Sequence, residues 1–508
     1  MNSIVTPASE LQTGGAPHAI VIGSGFGGLA AAIRLSVRGY RVTVLEKLDA
    51  PGGRAYVFRQ DGFTFDAGPT IITAPFLLEE LWALCGKKFS DDVDLRAMKP
   101  FFRLRFDDGD TFDYTGNPEQ MRAEIRRIVP DDLEGYERFL KASATAYRLG
   151  YEQMGDMPFT KITDMLKVIP EMLKMQGLRS LHSLVRAHVK SPKLQTVLSF
   201  HPLLIGGNPY SVTAVYALIS HLEQMHGVHS AMGGTGALVD AMVSLMQSQG
   251  VVLRCNAEVD EILVENGKAQ GVRLASGEVL DASVVVSNAD AAWTYRHLVR
   301  PEHRKHWTDR KIERSSFSSG LFVWYFGTDK RYEDVPQHSV LLGPRYKGLL
   351  DDIFKKHHLA DDFSLYLHRP TELDPSLAPE GCDTFYVLAP VPHLESGTDW
   401  EAHAEPFRLA IQKRLEETVL PGFSEHIKTS LLMTPLDFQS RLLAFRGCAF
   451  SFEPKLTQSA WFRPHNVSED VKGLYLVGAG THPGAGIPGV ITSAKVLDQV
   501  IPHAHSYA

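Results

Sequence analysis

Three short motifs near the N-terminus carry residues suited to holding a phosphate-bearing nucleotide. The run Gly23-Ser24-Gly25-Phe26-Gly27-Gly28 satisfies G-x-G-x-x-G, in which the glycines let the backbone approach a pyrophosphate. Glu46 can accept hydrogen bonds from ribose hydroxyls, and its charge disfavours a 2′-phosphate. Arg54, in Gly52-Gly53-Arg54, can pair with a phosphate through two parallel hydrogen bonds. Together these motifs predict a dinucleotide site.

The elements that must position these motifs can also be identified from the sequence. Residues 18–22 form an apolar run typical of a buried parallel strand, residues 29–37 an alanine-rich helix, and residues 40–45 a second strand. Because the glycines, the helix and the acid are in register, a binding role is favoured over a simple packing turn. No second fingerprint occurs, since Pro483 occupies the place of the third glycine after Gly478. One such site predicts a tightly held cofactor that is not reloaded from NAD(P)H.

Composition limits the remaining classes of function. The chain has 508 residues, 44% of them hydrophobic, and a net charge of −7, which indicates a large globular protein of about three domains. A mildly acidic chain is a poor candidate for nucleic-acid binding. The cysteines Cys85, Cys255, Cys382 and Cys448 are scattered, so we expect neither a disulfide framework nor a metal site. The same pattern favours a reducing, cytoplasmic setting. Residues 1–17 indicate a flexible tail and not a signal peptide.

One stretch resembles a membrane span in length and charge. Residues 473–494 contain no Asp, Glu, Lys or Arg, but they are interrupted by six glycines and by Pro483 and Pro488. A helix interrupted so often would leave backbone groups unpaired in lipid. We therefore predict a strand, a glycine-rich turn and the start of a helix.

Further motifs carry a family resemblance. They are residues 62–70 (GFTFDAGPT), 233–238 (GGTGAL), 284–290 (VVVSNAD), 459–466 (SAWFRPHN) and 474–490 (LYLVGAGTHPGAGIPGV). With the N-terminal motifs they resemble the bacterial-type phytoene desaturases, FAD-dependent carotenoid oxidoreductases related to glutathione reductase and the amine oxidases. The resemblance covers residues 18 to about 500, with the motifs in order.

The resemblance implies an α/β fold with interleaved domains. A Rossmann-like FAD-binding domain of the glutathione-reductase type would comprise residues 18–100, 229–295 and 470–508. A mixed β-sheet substrate domain would comprise residues 101–150 and 296–469. Residues 151–228 would form a helical lid, or membrane-associated subdomain.

The resemblance also assigns residues to a non-covalent FAD. The assigned cofactor-binding residues are Gly23, Gly25, Phe26, Gly27, Gly28, Glu46, Gly53, Arg54, Gly68, Pro69, Val259, Gly480, Gly486, Ile487, Pro488 and Gly489. Gly68 and Pro69 are expected near the flavin ring, and residues 486–489 are expected to begin a helix whose positive N-terminus faces the ring's pyrimidine edge. No acid follows Gly478, where many flavoproteins hold the ribityl chain, so backbone amides or Thr481 are expected to do this.

Two middle regions predict further structure. Turn signals at 265–267 and 275–277 predict a small antiparallel element, and the aromatic runs near 321–326, 363–368 and 385–390 predict strands of a substrate-domain sheet.

Residues 154–190 are rich in methionine and basic side chains. Ile162, Met165, Leu166 and Ile169 predict one apolar helical face, after which Pro170 is expected to start a new segment. One interpretation is an ordinary helical subdomain. The other, favoured because a C40 hydrocarbon must be collected from lipid, is a basic amphipathic face on an anionic membrane surface. The latter predicts a peripheral protein at the cytoplasmic face of the cell membrane.

The expected reaction is successive desaturation of phytoene and partly desaturated carotenes to neurosporene or lycopene. An allylic carbon gives a hydride to FAD and the neighbouring carbon loses a proton, with a quinone or oxygen as final electron acceptor. Asp164 is the candidate base, with His201 and His482 as weaker candidates, although a solvated helix position explains Asp164 better, since it lies off the stripe that includes Ile162 and Met165. The alternatives are a carotene cis–trans isomerase, a desaturase for a different polyene, and a non-catalytic carotenoid-binding protein.

Overall fold

The computed structural model describes residues 15–507, so the predicted tail lies almost entirely outside the described residues. Its strands are β1 His18–Ile22, β2 Arg41–Leu45, β3 Val57–Gln60, β4 Phe63–Asp66, β5 Leu95–Ala97, β6 Phe102–Arg105, β7 Thr111–Tyr114, β8 His229–Ala231, β9 Val252–Arg254, β10 Val259–Glu265, β11 Lys268–Leu274, β12 Val279–Asp281, β13 Val284–Ser287, β14 Gly320–Thr328, β15 His338–Leu341, β16 Leu365–His368, β17 Asp383–Val391, β18 Ile427–Met433 and β19 Leu474–Leu476. Its α-helices are α1 Phe26–Val37, α2 Phe76–Leu84, α3 Phe89–Asp92, α4 Pro118–Ile128, α5 Leu133–Ala146, α6 Ile162–Lys174, α7 Leu181–His188, α8 Pro192–Val197, α9 Leu218–His226, α10 Gly234–Ser248, α11 Ala291–Trp293, α12 Asp309–Arg314, α13 Tyr346–Asp351, α14 Trp400–Thr418, α15 Pro435–Leu442 and α16 Ile487–Val500.

The strand–turn–helix–strand unit predicted from the N-terminal motifs is confirmed. It forms the centre of a parallel five-stranded sheet in the order β19-β13-β1-β2-β9. Four of the five residues of β1 and of β2 are buried, as expected for parallel strands covered on both faces. The strands come from three distant stretches of the chain, so residues near both ends of the polypeptide meet at one sheet edge.

The predicted hairpins are also confirmed. Strands β10, β11 and β12 form an antiparallel sheet, with turns at 266–267 and 275–278. Asn266 and Gly267 both have positive φ, which the Asn-Gly pair tolerates and most residues do not. The chain then returns to the parallel sheet through β13. Apolar side chains of this small sheet pack against Ile20, Ile22 and Val285 of the parallel strands.

The three aromatic runs lie in a seven-stranded mixed sheet, in the order β18-β14-β17-β16-β15-β6-β7. Alternation along β14 sorts its side chains onto two faces. Leu321, Val323 and Tyr325 belong to the core shared with the helical layer, whereas Phe322 and Trp324 pack against α14 on the opposite face. The sheet therefore presents a mainly apolar wall toward the interior of the molecule.

Helices α5 to α9 form the layer facing that wall. The prediction that Pro170 begins a new segment is wrong, because α6 continues through it from Ile162 to Lys174. Buried Val168 precedes Pro170, and Met172, which follows it, packs against the same core. These contacts hold the two halves of the helix in one line.

The predicted interpretation of residues 473–494 is also correct. The stretch holds β19, a glycine-rich turn and the first half of α16. Within residues 15–507, none of the helices combines the length and the apolar character needed to cross a bilayer.

Candidate functional site

A single cavity joins the nucleotide motifs to the helical layer. It encloses about 530 Å³ and runs between the parallel sheet, the seven-stranded sheet and α6. Most of the predicted cofactor residues line it, namely Gly23, Gly25, Phe26, Gly27, Glu46, Gly53, Arg54, Gly68, Pro69, Val259, Gly486, Ile487, Pro488 and Gly489. The structure thus brings together motifs separated by more than four hundred residues of chain.

The glycines at the start of α1 are required by close backbone approach. A Cβ on Gly28 would lie 2.0 Å from the carbonyl oxygen of Gly23, so α1 could not start where it does. Gly28 does not line the cavity and acts through packing instead. Gly27 and Gly478 both face Asn288, whose Oδ1 would lie 2.6 and 2.7 Å from their added Cβ atoms. Asn288 therefore sits between the two glycine turns, and sequence reasoning gave it no role.

Glu46 lies at the end of β2 with its orientation fixed. Its carboxylate accepts hydrogen bonds from the backbone N–H of Ser24 at 2.9 Å, the Ser24 hydroxyl at 2.6 Å and the backbone N–H of Leu48 at 2.9 Å. These bonds hold it at the cavity wall, where the predicted ribose contact requires it.

Arg54 has the clearest unmet need for a ligand. Its Nε donates to the carbonyl of Ala449 at 2.6 Å, while its buried Nη2 has no partner among the described residues. An unpaired guanidinium nitrogen facing a cavity is suited to an anion. With the glycine cradle and Glu46, this donor set fits the adenosine and pyrophosphate half of FAD. Arg54 and the first turn of α1 would hold the phosphates, and Glu46 the ribose.

The C-terminal motif, residues 474–490, would hold the flavin half of the cofactor. Gly486 precedes α16 with φ 94°, and the first turn of that helix faces the cavity. Its unpaired N–H groups and positive end are suited to the pyrimidine edge of a flavin.

Two residues expected in the same motif do not reach the cavity. Gly480 packs against Ala291 and Ser451, where a Cβ would lie 2.7 and 2.8 Å from their side chains, so it acts through packing. The Thr481 hydroxyl donates to the carbonyl of Pro464 at 2.6 Å and is fully buried. Of the two alternatives for the ribityl contact, the position of Thr481 does not support its hydroxyl, and the prediction of backbone amides remains.

Asp164 lies in the first turn of α6 and does not line the cavity. Its carboxylate accepts from the backbone N–H of Lys161 at 3.1 Å, and it pairs with Lys167 at 3.5 Å. The Asp164 carboxylate therefore caps the N-terminus of α6. This geometry gives no support to a catalytic role, and it agrees with the interpretation of Asp164 as a solvated helix residue.

Both histidines named as weaker candidates line the cavity. His201 Nε2 lies 3.0 Å from Glu223 Oε2, and both side chains are buried. Burial lowers the pKa of His482 to about 3, and its ring meets Phe159 edge-on at 4.8 Å. Sequence reasoning missed Glu223, since an isolated acid on a helix carries no signal of its partner.

The far part of the cavity is apolar and adaptable in shape. Met154, Met165 and Met172 line it from the helical layer, and Leu321, Val323 and Leu388 line it from the seven-stranded sheet. Methionine side chains adjust to irregular hydrocarbon shapes. Polar side chains interrupt this wall beside Pro69, where the hydroxyls of Thr70, Tyr366 and Tyr386 meet. From the sequence, the two tyrosines are expected in strands of the substrate-domain sheet and have no further role.

Comparison with known proteins shows what kind of protein has this site. Residues 26–496 match the model of the family described as flavin containing amine oxidoreductase. The neurosporene-forming phytoene desaturase of Cereibacter sphaeroides is 51% identical over 505 residues, covering 98% of this chain and 96% of that protein. The chain belongs to the phytoene desaturase family. It is an FAD-dependent oxidoreductase, and the predicted family is confirmed.

Other members of the phytoene desaturase family are nearly as similar. The lycopene-forming phytoene desaturase of Pseudescherichia vulneris is 48% identical, with 94% of this chain and 97% of that protein covered. Among solved structures, cyclohexylamine oxidase from Brevibacterium oxydans superposes with a TM-score of 0.61 at 15% identity, over 97% of this chain and 100% of that one. At that identity the likeness concerns the fold alone, which is the mixed α/β fold of FAD-dependent amine oxidases.

Removal of the unpaired guanidinium should weaken cofactor binding. For Arg54→Met we expect the Kd for FAD to rise about 10–100-fold, since a hydrogen bond to a charged group contributes about 1.5–3 kcal/mol. Titration of the apo-protein with FAD, monitored by flavin fluorescence, measures this Kd. Arg59→Met, an exposed arginine on β3, is the matched control. An unchanged Kd for Arg54→Met contradicts the assignment of Arg54 to the phosphates.

The buried histidines should make the fold sensitive to acid. Burial lowers the pKa of His338 and of His482 to about 3, whereas both titrate near 6.5 in the unfolded chain. Below pH 6.5 the unfolded state therefore binds protons that the folded state does not. Stability is complete above pH 6.5 and falls by about 1.4 kcal/mol per pH unit for each histidine as the pH drops toward 3. Melting temperatures at pH 7.5 and 5.0 test this, with a smaller difference expected for His482→Asn.

Proposed function

We propose that this protein desaturates phytoene and its partly desaturated products, giving neurosporene or lycopene. The observation that carries the proposal is the continuity of one cavity from the glycine cradle to the methionine-lined chamber. Such a cavity places a long apolar chain against a bound cofactor without any polar handle. The relatives named above are phytoene desaturases that form these two products.

The chain contributes positioning and exclusion of water more than titrating groups. Bound FAD supplies a two-electron acceptor for the hydride that the substrate loses. Leu321, Val323 and Leu388 form one side of the channel and the methionines the other, so a polyene is held between two apolar walls. Holding a C–H bond in a near-attack position accounts for a large part of the rate in reactions of this kind.

Product analysis tests the proposal. FAD-loaded protein is incubated anaerobically with phytoene in liposomes and a quinone, and the products are separated by chromatography. New absorption bands of longer chromophores, formed as the quinone is consumed, are expected. A change of double-bond geometry alone identifies an isomerase, conversion of only another polyene identifies a different desaturase, and no conversion of any polyene identifies a binding protein. Any of these three results overturns the proposal.

We further propose a membrane quinone, or oxygen, as the electron acceptor. One nucleotide fingerprint serves the FAD, and the sequence offers no second fingerprint for NAD(P). Turnover that proceeds without oxygen only when NADP⁺ is added contradicts this proposal.

Peripheral attachment to the cytoplasmic face of the cell membrane, through the helical subdomain at residues 151–228, is also proposed. Helix α6 supports it, because two neighbouring faces of this helix, about 100° apart around its axis, are apolar. Met165, Val168 and Met172 line the cavity on one face. On the outer face, Ile162, Leu166, Ile169 and Leu173 are 49%, 58%, 42% and 57% exposed.

Outward leucine and isoleucine at this spacing form a continuous stripe with no covering element among the described residues. Lys161, Lys167 and Lys174 flank the stripe, which suits anionic lipid headgroups. A helix that touches lipid on one side and the cavity on the other gives a hydrocarbon a short path inward.

A further inference from the structure

A chain of buried hydrogen bonds leaves the cavity beside Pro69 and ends on two histidines. Thr70 Oγ1 lies 2.8 Å from the Tyr386 hydroxyl and 3.4 Å from the Tyr366 hydroxyl. The Tyr366 hydroxyl lies 2.6 Å from Nδ1 of His338, which lies 3.2 Å from Nδ1 of His368. All five side chains are at most 8% exposed.

The direction of these bonds follows from one carbonyl. His368 Nδ1 lies 3.2 Å from the carbonyl oxygen of Gln337, which can only accept, so His368 Nδ1 carries a hydrogen. His338 Nδ1, which faces the same hydrogen, is then bare and accepts from the Tyr366 hydroxyl. The hydrogen of His338 is consequently on Nε2, which has no hydrogen-bond partner among the described residues. Tyr366 thus faces the cavity with an oxygen whose own hydrogen points away from it.

This arrangement matters because desaturation releases a proton as well as a hydride. Once one carbon has lost a hydride, the adjacent C–H bond is strongly acidic, and a weak base suffices to take its proton. The cavity wall contributed by the seven-stranded sheet is apolar apart from Tyr366 and Tyr386, and Tyr386 donates to the carbonyl of Gly68 at 3.3 Å. The hydroxyls therefore lie beside the segment expected at the flavin ring.

Resting on the proposed function, we infer that Tyr366 accepts the proton lost by the polyene while passing its own hydroxyl proton to Nδ1 of His338. The breaking C–H bond leaves its electron pair in the new carbon–carbon double bond. A new O–H bond forms on Tyr366 as its old O–H bond breaks, and a new N–H bond forms on His338. Tyr366 is unchanged at the end and His338 is protonated. Thr70, Tyr386 and His368 orient the pair and act as positioning residues.

Protonation equilibria agree with this division of roles. Burial lowers the pKa of His338 to about 3, so the ring is neutral and ready at every physiological pH. Burial also raises the pKa of Tyr366, so its hydroxyl keeps a proton to pass on.

Substitutions at Tyr366 and at His338, the two ends of the hydrogen bond between them, test the inference. The assay uses FAD-loaded, full-length protein acting on phytoene in liposomes. Tyr366→Phe removes the hydroxyl, and His338→Gln keeps a hydrogen-bond acceptor for Tyr366 but cannot take up a proton. We expect kcat to fall about 100-fold or more in both variants, with KM within about threefold of the wild type. Tyr325→Phe is the matched control, since it deletes a buried hydroxyl of the same sheet whose partners, among the described residues, are Ala67 and Met433. Its kcat should remain near that of the wild type.

A spectroscopic measurement on the cofactor-free protein adds an independent readout. With isotope-labelled histidine, the nitrogen NMR signals missing from His338→Gln belong to His338. We expect one bare, hydrogen-bonded nitrogen and one protonated nitrogen, with the bare signal displaced in Tyr366→Phe and unmoved in Tyr325→Phe. Protonation at Nδ1 overturns the relay, as does wild-type kcat in either relay variant. Wild-type protein that forms no new chromophore overturns the proposed function instead, and with it the role of the relay.

Discussion

The Gly28→Ala variant is expected to purify without flavin. One methyl group placed 2.0 Å from the Gly23 carbonyl must displace either the first turn of α1 or the end of β1. Overpacking of a rigid backbone contact costs about 1–3 kcal/mol and moves the N–H groups that face the phosphates. If that cost falls on binding, the Kd for FAD rises about 5–150-fold, at about 1.4 kcal/mol per tenfold change. Absorbance of the purified protein near the flavin bands, followed by titration with FAD, measures it.

Gly348→Ala is the matched control for this effect. Gly348 also lies in a helix, α13, but its added Cβ would meet only the flexible side chain of Arg345. Alanine is favoured over glycine in a helix by about 1 kcal/mol, so this variant should keep its flavin and its stability. Wild-type flavin content in Gly28→Ala would show that the close approach of helix and strand is not required for binding.

The double variant Leu166→Glu/Leu173→Glu is expected to lose binding to anionic vesicles. Both leucines lie on the outer stripe of α6, more than half exposed, so their replacement leaves the fold intact. Each leucine transferred from water into lipid contributes about 1.5–3 kcal/mol, and two carboxylates add repulsion from anionic headgroups. Flotation with phosphatidylserine-containing liposomes at low salt should recover the wild type in the lipid fraction and the variant in the aqueous fraction.

A control with the same change of charge separates the stripe from net charge. Leu409 on α14 and Val279 on β12 are 50% and 51% exposed and lie on other elements. Leu409→Glu/Val279→Glu should therefore float like the wild type. If both double variants leave the lipid fraction equally, attraction to the vesicle depends on overall charge and not on α6. Wild-type protein that stays in the aqueous fraction removes the membrane proposal altogether.

Local patterns were enough to predict the nucleotide unit and the hairpins. Short-range spacing determines both, because a glycine turn, an apolar strand and an Asn-Gly pair each restrict the backbone on their own. The same reasoning was wrong at Pro170, where contacts of Val168 and Met172 with distant residues outweigh a local helix-breaking signal. Likewise, periodicity grouped Met165 with Ile162 and Leu166, although only the methionine faces the cavity.

The sequence alone determined the family, the glycine turn of the N-terminal motifs and the presence of a methionine-rich helical region. These features depend on residues close together in the chain, or on motifs whose order is itself diagnostic. Only the tertiary structure decided which side chains meet. Asn288 lies between two glycine turns, His201 lies beside Glu223, and Tyr366 reaches His338 because sheets and helices from distant stretches pack together. A buried polar contact is satisfied across the fold and leaves no periodic trace in the chain.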